Sequence, residues 1–186
     1  MNNKAHVMLD GKKINLRALE EEDLSILKNW RNKKHVRKTT REYKLLNMLN
    51  QKKWFEFIHD QNPPRDIIFG IVDKKLKLIG FTALTYIDWK NRQAEISIYF
   101  AKENWQKTFE GESAINMIME YGFKELNLHR LWVEIFSLSK ENIKLFTKLK
   151  FVKEGTLRDK VWRDGKWWDA HIYSMISNDF KKIHPS

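Results

Sequence analysis

Between residues 100 and 123 the hydrophobic period of the chain changes, and that change most restricts what it can become. The run AEISIYF (94–100) alternates apolar and polar positions, as a half-buried strand does. After a polar turn carrying Gly111, the apolar residues Ala114, Ile115, Ile118, Met119 and Phe123 recur at helical spacing. A strand over 94–100 and a helix over about 111–126 are therefore expected. A strand that feeds a helix across a short turn presents backbone N–H groups and the positive helix end, which suits an anionic ligand.

The flanking segments extend this unit. The segment 130–135 (RLWVEI) reads as a short strand buried on both sides. Upstream, 66–73, 76–87 and 94–100 form a three-strand meander, with Gly80 marking a bulge or a close backbone approach. A first strand is expected over 13–19 and a helix over 21–32, its acidic first turn favourable to the helix dipole. A second helical region is expected over 39–59, broken near Asn50 and stopped by the prolines of DQNPPRD. Downstream, a helix over 139–149 turns Ile143, Phe146 and Leu149 inward, with Ser137 or Ser139 as N-cap. Strands 151–163 and 167–177 close as a hairpin on Asp164-Gly165.

Composition removes several function classes. The chain has no cysteine, so disulfides, thiolate metal sites and a cysteine nucleophile are excluded. No apolar run of membrane-spanning length occurs and the N-terminal residues lack a signal-like core, so a cytoplasmic protein without membrane attachment is expected. The formal net charge of +11 suits a polyanionic partner or a nucleotide-like cofactor, but it is spread along the chain and densest at 28–41. That spread weighs against nucleic acid as a partner. The 186 residues are expected to form a single domain with its core at about 12–180, as a monomer or homodimer.

The order strand, two helices, meander, helix, strand, helix, hairpin resembles the GNAT N-acetyltransferase superfamily. INLRALEEEDL, NWRN, LIGFTAL, WQKTFEGESA, MEYGFKELNLHRLWVEI, NIKLFTKLKFVKEGTLRD and RDGKWWDAHIYSMI carry the likeness in sequence order. It is greatest to the branch of ribosomal-protein N-terminal and aminosugar-nucleotide acetyltransferases. The resemblance implies an α+β fold whose mixed, mostly antiparallel sheet splays between strands 94–100 and 130–135, flanked by about four helices. It also implies acetyl-CoA as co-substrate and acetyl transfer to a primary amine, here a small amine or an aminosugar nucleotide. Two other readings are a protein N-terminal acetyltransferase and a non-catalytic module that binds acyl-CoA or a protein.

Site residues follow from the same resemblance. The pantetheine arm is expected against Ile98, Tyr99 and Phe100, and near Ser139, Asn142 and Phe146. The pyrophosphate is expected on Gln106, Lys107, Thr108, Phe109, Gly111, Glu112 and Ser113, with Lys148 as a further charge partner. Glu95 is the expected general base. Trp30, Arg31, Arg37 and Trp168 are the expected substrate contacts. Four features depart from the family pattern: the loop 106–111 keeps only Gly111, Ser139 stands where an asparagine is usual, Phe146 stands where a tyrosine acid is usual, and Lys150 replaces a glycine.

Overall fold

In the computed structural model, which describes residues 7–185, eight strands form one sheet in the order β1-β2-β3-β4-β5-β6-β8-β7. In chain order the elements are β1 (Val7–Asp10), β2 (Ile14–Ala18), α1 (Leu24–Arg31), α2 (Lys34–Thr39), α3 (Met48–His59), β3 (Ile67–Asp73), β4 (Leu78–Asp88) and β5 (Gln93–Phe100). The second half holds α4 (Phe109–Glu120), β6 (Arg130–Phe136), α5 (Lys140–Lys148), β7 (Val152–Arg163), β8 (Lys166–Ile176) and α6 (Ser177–Ile183). Among the described residues no helix is long and apolar enough to cross a membrane.

Strand alternation sorts side chains to two faces. Ala94, Ile96 and Phe100 of β5 join Ile115, Ile118 and Met119 of α4 and Phe146 of α5 in one core. Tyr99 points the other way and joins Leu27 and Trp30 of α1, Val36 of α2 and Phe81 of β4 in a second core. Helices therefore cover the sheet on both faces, and β5 is buried between them.

Every strand pair is antiparallel except β5–β6, where α4 makes the crossover that parallel pairing demands. This pair is hydrogen-bonded only through Gln93↔Arg130, Ala94↔Leu131 and Glu95↔Trp132. From Ile96 onward β5 parts from β6 while keeping β4, so the expected splay is present and one edge of β5 opens into a cleft. The Gly80 expectation holds on both counts. The β3–β4 register shifts opposite it, and a Cβ there would lie 2.9 Å from the Phe100 ring.

Some boundaries differ from the sequence expectation. Residues 39–59 do not form one helical region. The basic stretch forms α2, residues 40–47 are irregular, and α3 begins at Met48. Asn50 does not break that helix but starts it: Asn47 Oδ1 accepts from Asn50 N at 2.9 Å, and Asn50 Oδ1 accepts from Asn47 N at 3.1 Å. Of the apolar residues at helical spacing over 39–59 (Tyr43, Leu46, Leu49, Trp54, Phe55 and Ile58), Tyr43 and Leu49 are instead exposed. Among the described residues β1 is an eighth strand, and six α-helices stand where about four were expected.

α5 ends as its sequence makes awkward. Lys150 adopts φ 67°, and Phe151 N donates to Phe146 O at 3.0 Å, closing a Schellman turn on a residue with a Cβ. The same turn seats Phe151 edge-on to Phe146, with ring centroids 5.1 Å apart.

Candidate active site

The parting of β5 from β6 creates a groove in three connected sections. The first, a cleft of about 600 Å³, is lined by Glu95 to Tyr99 of β5, Val133 to Phe136 of β6, Asn142, Phe146 and the irregular residues 40–44. The second, of about 320 Å³, shares Thr39, Ile98, Tyr99 and Asn142 with the first and continues past Phe100, Gln106 and Ser139. The third, of about 430 Å³, shares Gln106 and Glu141 with the second and ends among Lys107, Thr108, Phe109, Lys144 and Lys148. One path thus runs from two buried carboxylates, along an open strand edge, to a helix end ringed by lysines.

Glu95 closes the inner end of that path. It is the last β5 residue paired with β6, and its side chain is 5% exposed. Both of its oxygens are engaged: Arg41 Nη1 donates to Oε2 at 2.8 Å and Nη2 donates to Oε1 at 2.6 Å. The same Nη2 donates to Glu134 Oε2 at 3.0 Å. Burial works against the charge on Arg41, yet the hydrogen bonds and negative charges of Glu95 and Glu134 outweigh it and raise the guanidinium pKa above its usual value. Sequence reasoning missed Arg41 and Glu134. Arg41 bonds Glu95 across 54 residues of chain, and nothing local in either segment signals it.

The strand edge is suited to a pantetheine-like amide chain. Ile96 to Phe100 keep their β4 partners on one side and have none from β6 on the other. Their backbone groups can then pair with an added extended ligand. Ser139, the first residue before α5, faces this section, and its hydroxyl is buried without a partner. A buried orphan hydroxyl beside an unpaired strand edge fits a ligand that brings its own amides. Asn142 Oδ1 accepts from Gln106 Nε2 at 2.6 Å and so joins α5 to the turn before α4.

That turn, residues 105–107, is a 3-10 turn entered through Asn104 at φ 57°. Thr108 caps α4, accepting from Gly111 N at 3.2 Å. Gly111 is required by packing, because a Cβ there would lie 2.4 Å from the Trp105 carbonyl oxygen. Glu112 pairs with Lys148 at 2.6 Å, and Glu141 accepts from Lys144 at 3.2 Å with Lys107 at 3.6 Å. These lysines are mostly exposed, so an arriving phosphate competes for them on the solvent side. Phe109 is also exposed, with the Lys13 ammonium 4.8 Å from its ring centre. Ser113 faces along its own helix toward the Met117 sulfur and lines none of the three sections.

The four expected substrate contacts separate. Arg31 lines the first cleft, while Trp30 is buried in the second core. Arg37 lines a neighbouring cavity of about 510 Å³ with Lys34, Tyr43, Trp162 and Arg163. Trp168 lies within the hairpin, its Nε1 donating to Arg163 O at 3.0 Å beneath the Lys166 ammonium. Tyr99 stacks on Phe81, and burial pushes its phenol up to about 12, against the opposing influence of Arg31.

Comparison with known proteins identifies relatives that share the fold. A family model described as "Acetyltransferase (GNAT) domain" matches residues 16–172. Over 169 residues the chain is 30% identical to the spermidine N(1)-acetyltransferase of Vibrio cholerae, spanning 90% of this chain and 95% of that protein. It is 28% identical over 170 residues to the uncharacterized N-acetyltransferase p20 of Bacillus licheniformis, spanning 90% and 95%. A crystal structure of spermidine N-acetyltransferase from Vibrio cholerae in complex with CoA and spermine superposes with a TM-score of 0.83 at 23% identity, over 90% of this chain and 97% of that one.

Proposed function

Because the chain belongs to the GNAT acetyltransferase family and is an acetyl-CoA-dependent N-acetyltransferase, we propose that its acceptor is a small, positively charged primary amine of the spermidine type. The observation that carries this is the pair of buried carboxylates, Glu95 and Glu134, at the inner end of the cleft. A neutral acceptor has no use for two such charges, whereas an alkylammonium adds positive charge beside them and a donor for the unpartnered Glu134 Oε1. The curated relative named above for spermidine supports the same class.

In this reading acetyl-CoA lies along the groove. Its pantetheine amides pair with the free edge at Ile98, Tyr99 and Phe100 and meet Ser139 and Asn142. Its phosphates meet the turn at Gln106, Lys107 and Thr108, the helix start at Phe109 and Gly111, and Lys148. Phe146 packs beside the thioester. Glu112 serves by holding Lys148, and Ser113 contributes at most through the helix start.

The acceptor reaches the site as an ammonium and must lose a proton before it can attack. Glu95, as carboxylate, takes that proton directly or through a water molecule. The free amine attacks the thioester carbonyl, the C–N bond forms, and the C–S bond breaks with the electron pair going to sulfur. The nitrogen's second proton passes to solvent water as the amide forms. Phe146 cannot donate a proton to the departing thiolate, so the thiolate is released or is protonated by water. Positioning carries the remainder, and in well-oriented cases it is worth about 7–11 kcal/mol.

A second reading, transfer to an aminosugar nucleotide, is favoured by one observation. The cavity lined by Lys34, Arg37, Tyr43, Trp162 and Arg163 adjoins the cleft and offers cations and rings to a diphosphate and a base. Thiol release from acetyl-CoA, measured across a panel of spermidine, monoamines, a terminal-amine peptide and a nucleotide aminosugar, separates these readings. Release that depends on spermidine or another polyamine supports the proposal. Release only with the nucleotide aminosugar supports the second reading and overturns the first.

A further inference from the structure

Among the described residues Arg41 is the one cation that touches both buried carboxylates, and it reaches them from an unusual place. It belongs to no helix or strand but to residues 40–47, which link α2 to α3. That link is fastened at its ends: Arg163 Nη2 donates to Thr40 O at 3.1 Å, and Asn32 exchanges two 2.8 Å bonds with the backbone of Leu46. Between those fastenings Tyr43 and Leu45 lie exposed, 67% and 69%, with no core to hold them. Glu95 and Glu134, by contrast, stand on two adjacent central strands and are fixed by the sheet.

The donors and acceptors do not balance. Glu134 has one oxygen on Arg41, while its other, Oε1, is buried without a partner, although the side chain is only 8% exposed. One guanidinium against two carboxylates leaves a net negative charge at this spot. Arg31, Lys44 and Arg65 also line the cleft, but none of them bonds to either carboxylate. The Nη2 nitrogen lies 2.6 Å from one carboxylate and 3.0 Å from the other, which are ordinary distances for an ammonium held by both.

We propose that Arg41 holds the acceptor's place: Glu95 and Glu134 together form the subsite for the acceptor ammonium, and the Arg41 guanidinium fills it until the 40–47 link swings outward. The inference rests on the reading of the protein as an amine acetyltransferase and names the residues that receive the amine. It also addresses a difficulty in that reading, because each Glu95 oxygen already accepts from the Arg41 guanidinium, which stands where a substrate ammonium would donate. Departure of Arg41 frees Glu95 to act as base and leaves Glu134 to orient the ammonium through its unpartnered oxygen. A diamine suits the exchange, since a second positive charge offsets the one withdrawn.

Two measurements test this. The first compares steady-state constants of the wild type, Arg41→Ala and Arg41→Lys with spermidine at saturating acetyl-CoA. An occupant lowers apparent affinity in proportion to the time it fills the site, so its removal is expected to lower KM for spermidine by about tenfold or more. Methylguanidinium is expected to inhibit Arg41→Ala in competition with spermidine and to inhibit the wild type far less. If Arg41 instead orients Glu95, Arg41→Ala loses kcat with KM unchanged or raised, and the proposal falls. The second measurement needs no variant. Amide hydrogen exchange of residues 41–45 in the wild type, with CoA present, is expected to quicken several-fold on adding spermidine; exchange that slows or stays constant overturns the proposal. Calorimetry with acetyl-CoA and the thiol-release panel keep the two levels apart. A wild type that turns over no amine sinks the functional reading, whereas turnover without these responses sinks only the role of Arg41.

Discussion

Gly111→Ala places one carbon where the chain has no room for it. The added Cβ would lie 2.4 Å from the Trp105 carbonyl oxygen and 2.7 Å from the Trp105 ring. The nearest obstacle is backbone, so rotamer changes cannot relieve it. Restoring an ordinary contact of 3.4 Å requires the turn 105–107 to shift by about 1 Å relative to α4. Overpacking of this kind costs about 1–3 kcal/mol, offset in part by the roughly 1 kcal/mol that alanine gains over glycine inside a helix. A net loss of about 0–2 kcal/mol leaves the protein folded. The same 1 Å displaces Gln106, Lys107 and the helix start from the positions proposed to receive phosphate, and misplacement on that scale costs about a hundredfold where geometry matters. Isothermal titration with acetyl-CoA is the assay, and a weakening of tenfold or more is expected. Gly122→Ala is the control, because the nearest atoms to its Cβ would be leucine side-chain methyls at 3.1–3.3 Å. If Gly111→Ala binds acetyl-CoA as the wild type does, the turn is not the phosphate cradle.

Lys150→Gly is expected to stabilise the protein. Relief of a left-handed lysine at φ 67° is worth about 1–2 kcal/mol, less about 0.4–1 kcal/mol for the looser unfolded chain. The net gain of about 0–1.6 kcal/mol should appear as a rise of up to about 6 °C in melting temperature, and a fall would mean that the turn does not impose this conformation. Phe146→Tyr restores a proton donor where the cleft meets α5, and kcat is expected to rise tenfold or more, since a well-placed acid contributes about 10²–10⁴. An unchanged rate would mean that proton supply to sulfur does not limit turnover. The Tyr99 phenol, raised to about 12 in the fold against an ordinary value of 10.0, contributes stability that is complete below pH 10 and is lost as pH rises toward 12. Denaturant titrations at pH 9 and pH 11.5 should show that loss in the wild type and a smaller one in Tyr99→Phe; equal losses would contradict the assignment.

The elements that position the groove are legible in the sequence because each carries a local signal. Alternation fixes β5, helical spacing fixes α4, and Asp164-Gly165 fixes the β7–β8 turn. Other features depend on distant parts of the chain. Residues 43–49 carry Tyr43, Leu46 and Leu49 at helix-like spacing, yet Tyr43 and Leu49 are exposed. Asn47 and Asn50 then decide where α3 begins. α2 has Val36 as its one buried residue, too little for a periodic pattern to show. Arg41 reads as one more cation in a basic run until the fold brings Glu95 and Glu134 to it. The loop with a single glycine is likewise explained only by the structure: Thr108 supplies the helix cap, Asn104 adopts the left-handed turn, and the remaining glycine sits where the Trp105 carbonyl comes too close for any side chain.

The central claim, that Glu95 activates a cationic amine for acetylation in this cleft, is tested most directly by one paired measurement. Wild type and Glu95→Gln are each given acetyl-CoA and spermidine, and free CoA thiol and monoacetylated amine are quantified together. The wild type is expected to form both in equal amounts. Glu95→Gln is expected to lose about 10²–10⁴ in kcat while still binding acetyl-CoA. A wild type that releases no thiol in response to the amine, or a Glu95→Gln variant that matches it, would contradict the account.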